Sequence, residues 1–196
     1  MANLAAREGH PREAVTLVET AVLGVRGRET ASLLTALYSR QAEALAILGD
    51  SAGCAAAISK TRTHVEHLQP GDEPSYLYWV GPATVTAGAG CCLLQLGKAD
   101  QAVTLLEDGI SLFNESFIRE RVVFSIHLAE ALAHPGPQRD LDAAARHGLA
   151  ALELSQNLDS TLGTSLLRDL HRQMKPHAKV PAVGDFLAQA RGLVAV

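Results

Sequence analysis

Few side chains in this sequence stand in patterns that could do chemistry. His64 and His67 lie three apart on a helical stretch, with Glu66 between them. Two imidazoles on one helix face can touch a metal, but zinc takes three or four ligands, so the pair reads as a solvated face. The three cysteines, Cys54, Cys91 and Cys92, include no Cys-x-x-Cys. Cys54 occupies a position where related segments carry Ala, which makes it a small buried hydrophobe. Cys91 and Cys92 are adjacent in a helix and point in different directions, so no metal or redox role is expected of the three. There is no Gly-rich phosphate loop ending in Gly-Lys-Ser/Thr, no His-Glu-x-x-His and no Gly-x-Ser-x-Gly. No catalytic residue, cofactor or metal is therefore expected, and the chain is not expected to be an enzyme.

What is left is recognition chemistry. Tyr76-Leu77-Tyr78-Trp79 is the one aromatic cluster and holds the single Trp. Arg119 and Arg121 fall in the first turns of a helix, where positive charge is unfavourable by ~0.3–1 kcal/mol, so they are expected to meet partners elsewhere. Arg168, Arg172, Lys175 and Lys179 follow steps of four, three and four near a helix C-terminus, where cations are ordinary. His147 stands on an apolar stripe and is expected to be at least half buried, as a satisfied core histidine.

The elements that position these residues repeat along the chain. From Gly9, Gly49 and Gly97 a small residue follows at +5 and again at +12: Ala14 and Ala21, Cys54 and Thr61, Ala102 and Gly109. A fourth copy starts at Gly136, with a loop two residues longer, and uses Ala143 and Ala150. In that register His147 answers to Val18, Ile58 and Leu106. Between the repeat positions run apolar residues at helical spacing, for example Ala102, Leu105, Leu106, Gly109, Ile110 and Phe113. Helix pairs recurring at this period bury their faces by stacking on neighbours. The expected fold is all-α: one superhelical stack of antiparallel helix pairs, about nine or ten helices, a tetratricopeptide-like solenoid. Residues 1–196 are expected to form a single domain with a truncated first repeat, and 160–196 to cap the far end.

Local signals set the expected boundaries. Pro11 opens one helix; Glu29 or Thr30, Asp50 or Ser51, Asn114 or Ser116, Asp140, and Ser160 or Thr161 start others. Pro70–Pro74 and Pro135-Gly136-Pro137 are breaks, and Pro181 opens a terminal helix. The aromatic cluster is expected to lead directly into a helix that runs to Leu96. Gly88 and Gly90 inside that helix are expected to mark a close helix crossing, since each costs ~1 kcal/mol relative to Ala. If the first helix of each pair lines the concave side, then Tyr38, Arg40, Trp79, Arg119, Arg121, Phe124 and His127 face a common groove for a partner.

Composition narrows the partner. Hydrophobic residues make up 47% and aromatics 4%, a helical composition. With 17 basic against 21 acidic residues and a net charge of −4, there is no basic excess to neutralise phosphates, so direct nucleic-acid binding is not expected. No apolar run approaches the ~18 residues of a membrane span, and the cysteines suit a reducing compartment, so a cytoplasmic location is expected and no membrane partner.

Four segments, Tyr78-Trp79-Val80, Gly90-x-Cys92-Leu93-Leu94-x-Leu96-Gly97, Ser116-Phe117-Ile118-Arg119-Glu120-Arg121 and Leu128-Ala129-Glu130-Ala131-Leu132, together resemble a set of actinobacterial transcription regulators. In that family a helix-turn-helix DNA-binding domain precedes a tetratricopeptide-like sensor and oligomerisation domain. The resemblance covers roughly Leu4 to Val183. It implies a non-catalytic regulatory domain that takes a peptide, protein or small effector in its concave face. A standalone protein–protein scaffold is the alternative, and an enzyme built on a helical repeat a more distant one. An uncapped first repeat leaves apolar surface in water, so a homodimer is expected.

Overall fold

The computed structural model describes residues 5–6, 9–69, 74–156, 158 and 160–194. All of its regular elements are helical, and no strand occurs among the described residues. In chain order they are α1 (Pro11–Gly24), α2 (Ala31–Ile47), α3 (Ser51–Val65), a 3-10 turn (Ser75–Leu77), α4 (Pro82–Gln95), α5 (Ala99–Ser111), α6 (Ile118–Ala133), α7 (Leu141–Ser155), α8 (Thr161–Met174), a second 3-10 turn (Lys175–His177), α9 (Pro181–Gln189) and the single turn α10 (Arg191–Val194). Most of the expected break at Pro70–Pro74, and part of the helix end expected before Gly9, lie outside the described residues. None of the described helices is long and apolar enough to cross a membrane.

Three of the four repeat glycines share one backbone device. Gly9, Gly49 and Gly97 have φ of +87°, +76° and +73°. This left-handed conformation is disfavoured for residues with a Cβ. After each, the next N–H reaches back five residues: His10 to Ala5, Asp50 to Leu45 and Lys98 to Leu93 carbonyls. That is the 6→1 hydrogen bond of a Schellman motif, which closes a helix and starts a turn. Helix starts are as local. The side chains of Thr30, Asp50, Asp140 and Ser160 accept from the N–H groups of Leu33, Gly53, Ala143 and Gly163, each satisfying an otherwise unpaired helical donor. At α6 the expected cap is different: Asn114 Oδ1 accepts from Ser116 N–H within the preceding turn, and Phe117 stands at the N-cap with no side-chain bond.

The fourth turn departs from the other three. Between α6 and α7 the chain is held by Asp100 at the start of α5, whose Oδ1 accepts from Gln138 N–H at 3.1 Å. Gly136 keeps this carboxylate close, since a Cβ there would sit 2.8 Å from Asp100 Oδ1. The longer loop moves the buried register by one residue. Ala14, Cys54 and Ala102 are at most 1% exposed, but Ala143 is only half-buried and Ala150 is exposed; Ala144 and Ala151 take the buried places. Gly148, not His147, therefore answers to Leu106.

The chain divides into two compact units, Met1–Lys98 and Ala99–Val196. In the first, α1 packs on α2, α2 on both α3 and α4, and α3 on α4. Its core is made of small side chains: Ala42, Ala46, Cys54, Ala57 and Cys92 form one cluster, with Leu45, Ile58 and Leu96 at its edge. Ala6, Ala14 and Ala44 form another. In the second unit, α5 packs on α6, α6 on α7 and α8, and α9 comes back onto α7. Its core is large: Leu106, Ile126, Leu128, Leu167, Leu170, Met174 and Phe186 are all fully buried. The ring of Phe186 occupies the space that Gly148 leaves, its Cε2 2.9 Å from where a Cβ would stand.

Candidate functional site

Of the seven residues expected to face a partner, Tyr38, Arg40 and Trp79 lie in the first unit and Arg119, Arg121, Phe124 and His127 in the second. Tyr38 and Arg40 are two positions apart on α2, about 200° around a helix, and serve different neighbours. Tyr38 stacks on His64 of α3 with ring centroids 5.5 Å apart and planes 7° apart. Lys60 Nζ stands 5.0 Å from the Tyr38 centroid. His64 is thus half-buried rather than solvated, and burial, then the nearby His67, lowers its pKa. His67 is exposed, with Nδ1 2.8 Å from the Thr63 carbonyl.

Arg40 has its guanidinium 2.8 Å from both carboxylate oxygens of Glu43 and 4.8 Å above the Trp79 ring. One cation is satisfied at once by a bidentate acid and an aromatic face. Trp79 itself is not on a helix, contrary to the expectation that the aromatic cluster leads straight into one. Pro82 sits at the first position of α4 and disfavours helical geometry in the residue before it; Gly81 is extended, at φ −177° and ψ 176°. Thr84 Oγ1 accepts from Gly81 N–H at 3.1 Å and donates to the Trp79 carbonyl, which fixes Trp79 in the turn before α4. Tyr76 and Tyr78 precede it at 67% and 61% exposed. The expected close crossing at Gly88 is absent: a Cβ there would meet nothing within 4 Å.

In the second unit the start of α6 collects aromatic and charged groups. Phe113 follows α5, and its ring lies 5.6 Å from Phe124 and 5.7 Å from Phe117, the former stacked at 18°. All three are half-buried. Arg121 and Phe124, and Phe124 and His127, are neighbours three residues apart on α6; each is half-buried. Arg119 is exposed and lies about 200° around the helix from Arg121. Among the described residues neither arginine is in an ion pair, although both stand in the first turn of α6, where the helix dipole disfavours them. His127 Nδ1 is 2.7 Å from Glu130 Oε2, and the Glu130 carbonyl accepts from Gln173 Nε2 of α8 at 3.2 Å, so this histidine is held in place. Phe113 and Phe117 read as core positions in the sequence; their periodicity could not show that their rings cluster with Phe124.

His147 is half-buried, as expected, though one register place away from Leu106. Burial lowers its pKa; Glu107 opposes that and Arg146 adds to it. Of the expected basic strip, Arg172 pairs with Asp169 at 3.1 Å, and Lys175 and Lys179 are exposed. Among the described residues no three His, Cys, Asp or Glu side chains gather where a metal could be held. In comparisons with known proteins, no family model, no curated protein and no solved structure matches this chain.

Proposed function

We propose that this chain is a non-catalytic, tetratricopeptide-like recognition domain, similar to the regulatory part of the actinobacterial regulators its segments resemble. Its ligand would bind on the half-buried face of α6. The observation that carries the reading is Arg121: a half-buried guanidinium with no ion pair among the described residues, one helical step from Phe124, whose ring belongs to a cluster with Phe113 and Phe117. Holding a cation there costs free energy in the unbound protein, and a carboxylate would recover it. Each charge-assisted hydrogen bond contributes about 1.5–3 kcal/mol. The ligand class is a peptide, protein segment or small effector that pairs a carboxylate with an apolar or aromatic group.

A stacked-repeat arrangement is supported by contacts within each unit. α2 packs on α3 and also on α4, and α6 packs on α7 and also on α8. The first helix of a pair thus touches both its partner and the next first helix, which is how helical repeats stack. The recurring Schellman turns at Gly9, Gly49 and Gly97 point the same way. In such a domain, ligand on α6 would act by changing how neighbouring helices pack.

Native mass spectrometry of the protein purified from its own host tests this reading. A co-purifying species at fixed stoichiometry, lost at least about tenfold more readily from Arg121→Ala and Phe124→Ala than from Arg40→Ala, is the expected result. A bound species insensitive to both α6 substitutions would overturn the placement, and a protein that carries and binds nothing would remove the reading.

A further inference from the structure

The core cluster of the first unit brings together two side chains that are distant in sequence and share a reactive chemistry. Cys54 on the first turn of α3 and Cys92 on α4 are both buried, at 1% and 3% exposure, among Ala42, Ala46 and Ala57. Both thiols belong to this one cluster and lie close enough to perturb each other. No cysteine of the chain is in a disulfide, and Cys91, next in sequence to Cys92, is half-buried. The interaction with Cys54, followed by burial, raises the Cys92 thiol well above its ordinary range, while the same interaction lowers that of Cys54, so Cys54 is the sulfur that more readily becomes a thiolate.

We propose that Cys54 and Cys92 form a latent disulfide: a peroxide oxidises the pair and so ties α3 covalently to α4. The bond fits the packing. Both sulfurs lie in one cluster of small side chains, with Leu45, Ile58 and Leu96 only at its edge, and joining them removes two hydrogens without adding an atom. In the reaction one thiolate attacks the peroxide, its O–O bond breaks, and a sulfenic acid and one water (or alcohol) result. The second thiol attacks the sulfenic sulfur, the S–O bond breaks, and a second water leaves. The two thiols lose two protons and two electrons, and the peroxide takes up both as it is reduced to two waters (or a water and an alcohol). Because both sulfurs are buried, oxidation proceeds through opening of the α3–α4 contact, and the bond then holds that contact shut. The link closes the whole segment between α3 and α4, a constraint on the unfolded chain that raises stability.

The test is treatment of the full chain with hydrogen peroxide, followed by intact mass, peptide mapping and thermal unfolding. The expected product is monomeric, has lost two hydrogens, yields a peptide pair joining Cys54 to Cys92, and melts several degrees higher than the reduced protein. Cys54→Ala, which places at this site the residue that Ala14 and Ala102 supply in the related helices, should fold and lose both the link and the gain. Cys91→Ser should keep both. Oxidation that yields only Cys91 adducts, intermolecular dimers or sulfinic acid would overturn the proposal. So would a wild-type chain whose Cys54 and Cys92 both still react with a thiol reagent after denaturation.

Discussion

Residues 31–65 and residues 118–174 are both runs of packed helices, yet they are filled differently. In the first run α2 and α3 meet through Ala42, Ala46, Cys54 and Ala57. In the second, α6 and α8 bury Ile126, Leu128, Leu167, Leu170 and Met174. Among the largest fully buried side chains, only Val18, Thr35 and Cys54 belong to the first unit. Hydrophobic stabilisation follows apolar area removed from water, at ~25 cal/mol per Å², so helices joined by alanine bury less per residue than helices joined by leucine. Close approach of backbones offsets part of this through dispersion. The same division holds for the charged aromatic groups. Arg40 finds Glu43 and Trp79 inside its own unit, and Lys60 finds Tyr38, whereas Arg121, with Phe124 one helical step away, has no ion pair among the described residues.

The largest test of this contrast is Phe186→Ala. It removes the ring that fills the Gly148 notch and is expected to cost about 3–5 kcal/mol, read as a fall in the denaturation midpoint. Hydrogen exchange should show the loss in α7 to α9; an equal loss confined to α2 and α3 would contradict the core assignment. Next in size, Ala57→Leu overpacks the small-residue core of the first unit and is expected to destabilise by about 1–3 kcal/mol. If it stabilised instead, the alanine core would be underfilled and the comparison would fail.

Two helical glycines give a sharper pair. Gly148→Ala puts a Cβ 2.9 Å from Phe186 Cε2 and 3.1 Å from Leu170 Cδ2, so it should cost about 1–3 kcal/mol from overpacking, less the ~1 kcal/mol that alanine gains in a helix. Gly88→Ala meets open space and should stabilise by about 0.5–1 kcal/mol. Opposite signs in thermal melts are expected; equal signs would mean that the space around the two positions is the same. The smallest effect is a pH dependence from His147. Its folded pKa is depressed by burial from an ordinary 6.5, so between the two values the unfolded chain binds the extra proton. Stability is full above ~6.5 and declines as pH falls from there toward the folded pKa. Melting points of wild type and His147→Leu between pH 7.5 and 5 should converge in slope only if other groups dominate; a flatter profile in the variant is the expected outcome.

Much of the helical layout was legible along the chain because its determinants are local. A Schellman turn needs a residue that tolerates positive φ, and Gly9, Gly49 and Gly97 announce it. An N-cap needs a short polar side chain at one position, and Thr30, Asp50, Asp140 and Ser160 supply it. Locality also explains the failures. The segment from Tyr76 reads as helix until Thr84 and Pro82 are seen to fix the turn around Gly81. Asn114 and Ser116 have capping chemistry but spend it on each other.

By itself the sequence determined an all-helical chain, most of its turns, the small residues at Ala14, Cys54 and Ala102, and the lack of a recognised catalytic motif. Tertiary structure decided the rest, because those outcomes depend on residues brought from elsewhere. The space that Gly148 leaves is filled because Phe186, on a different helix, packs into it. Arg40 is satisfied because the turn before α4 lays Trp79 beneath it. Cys54 and Cys92 become neighbours in one core because α3 and α4 pack together, and among the described residues no packed element brings an acid to Arg121.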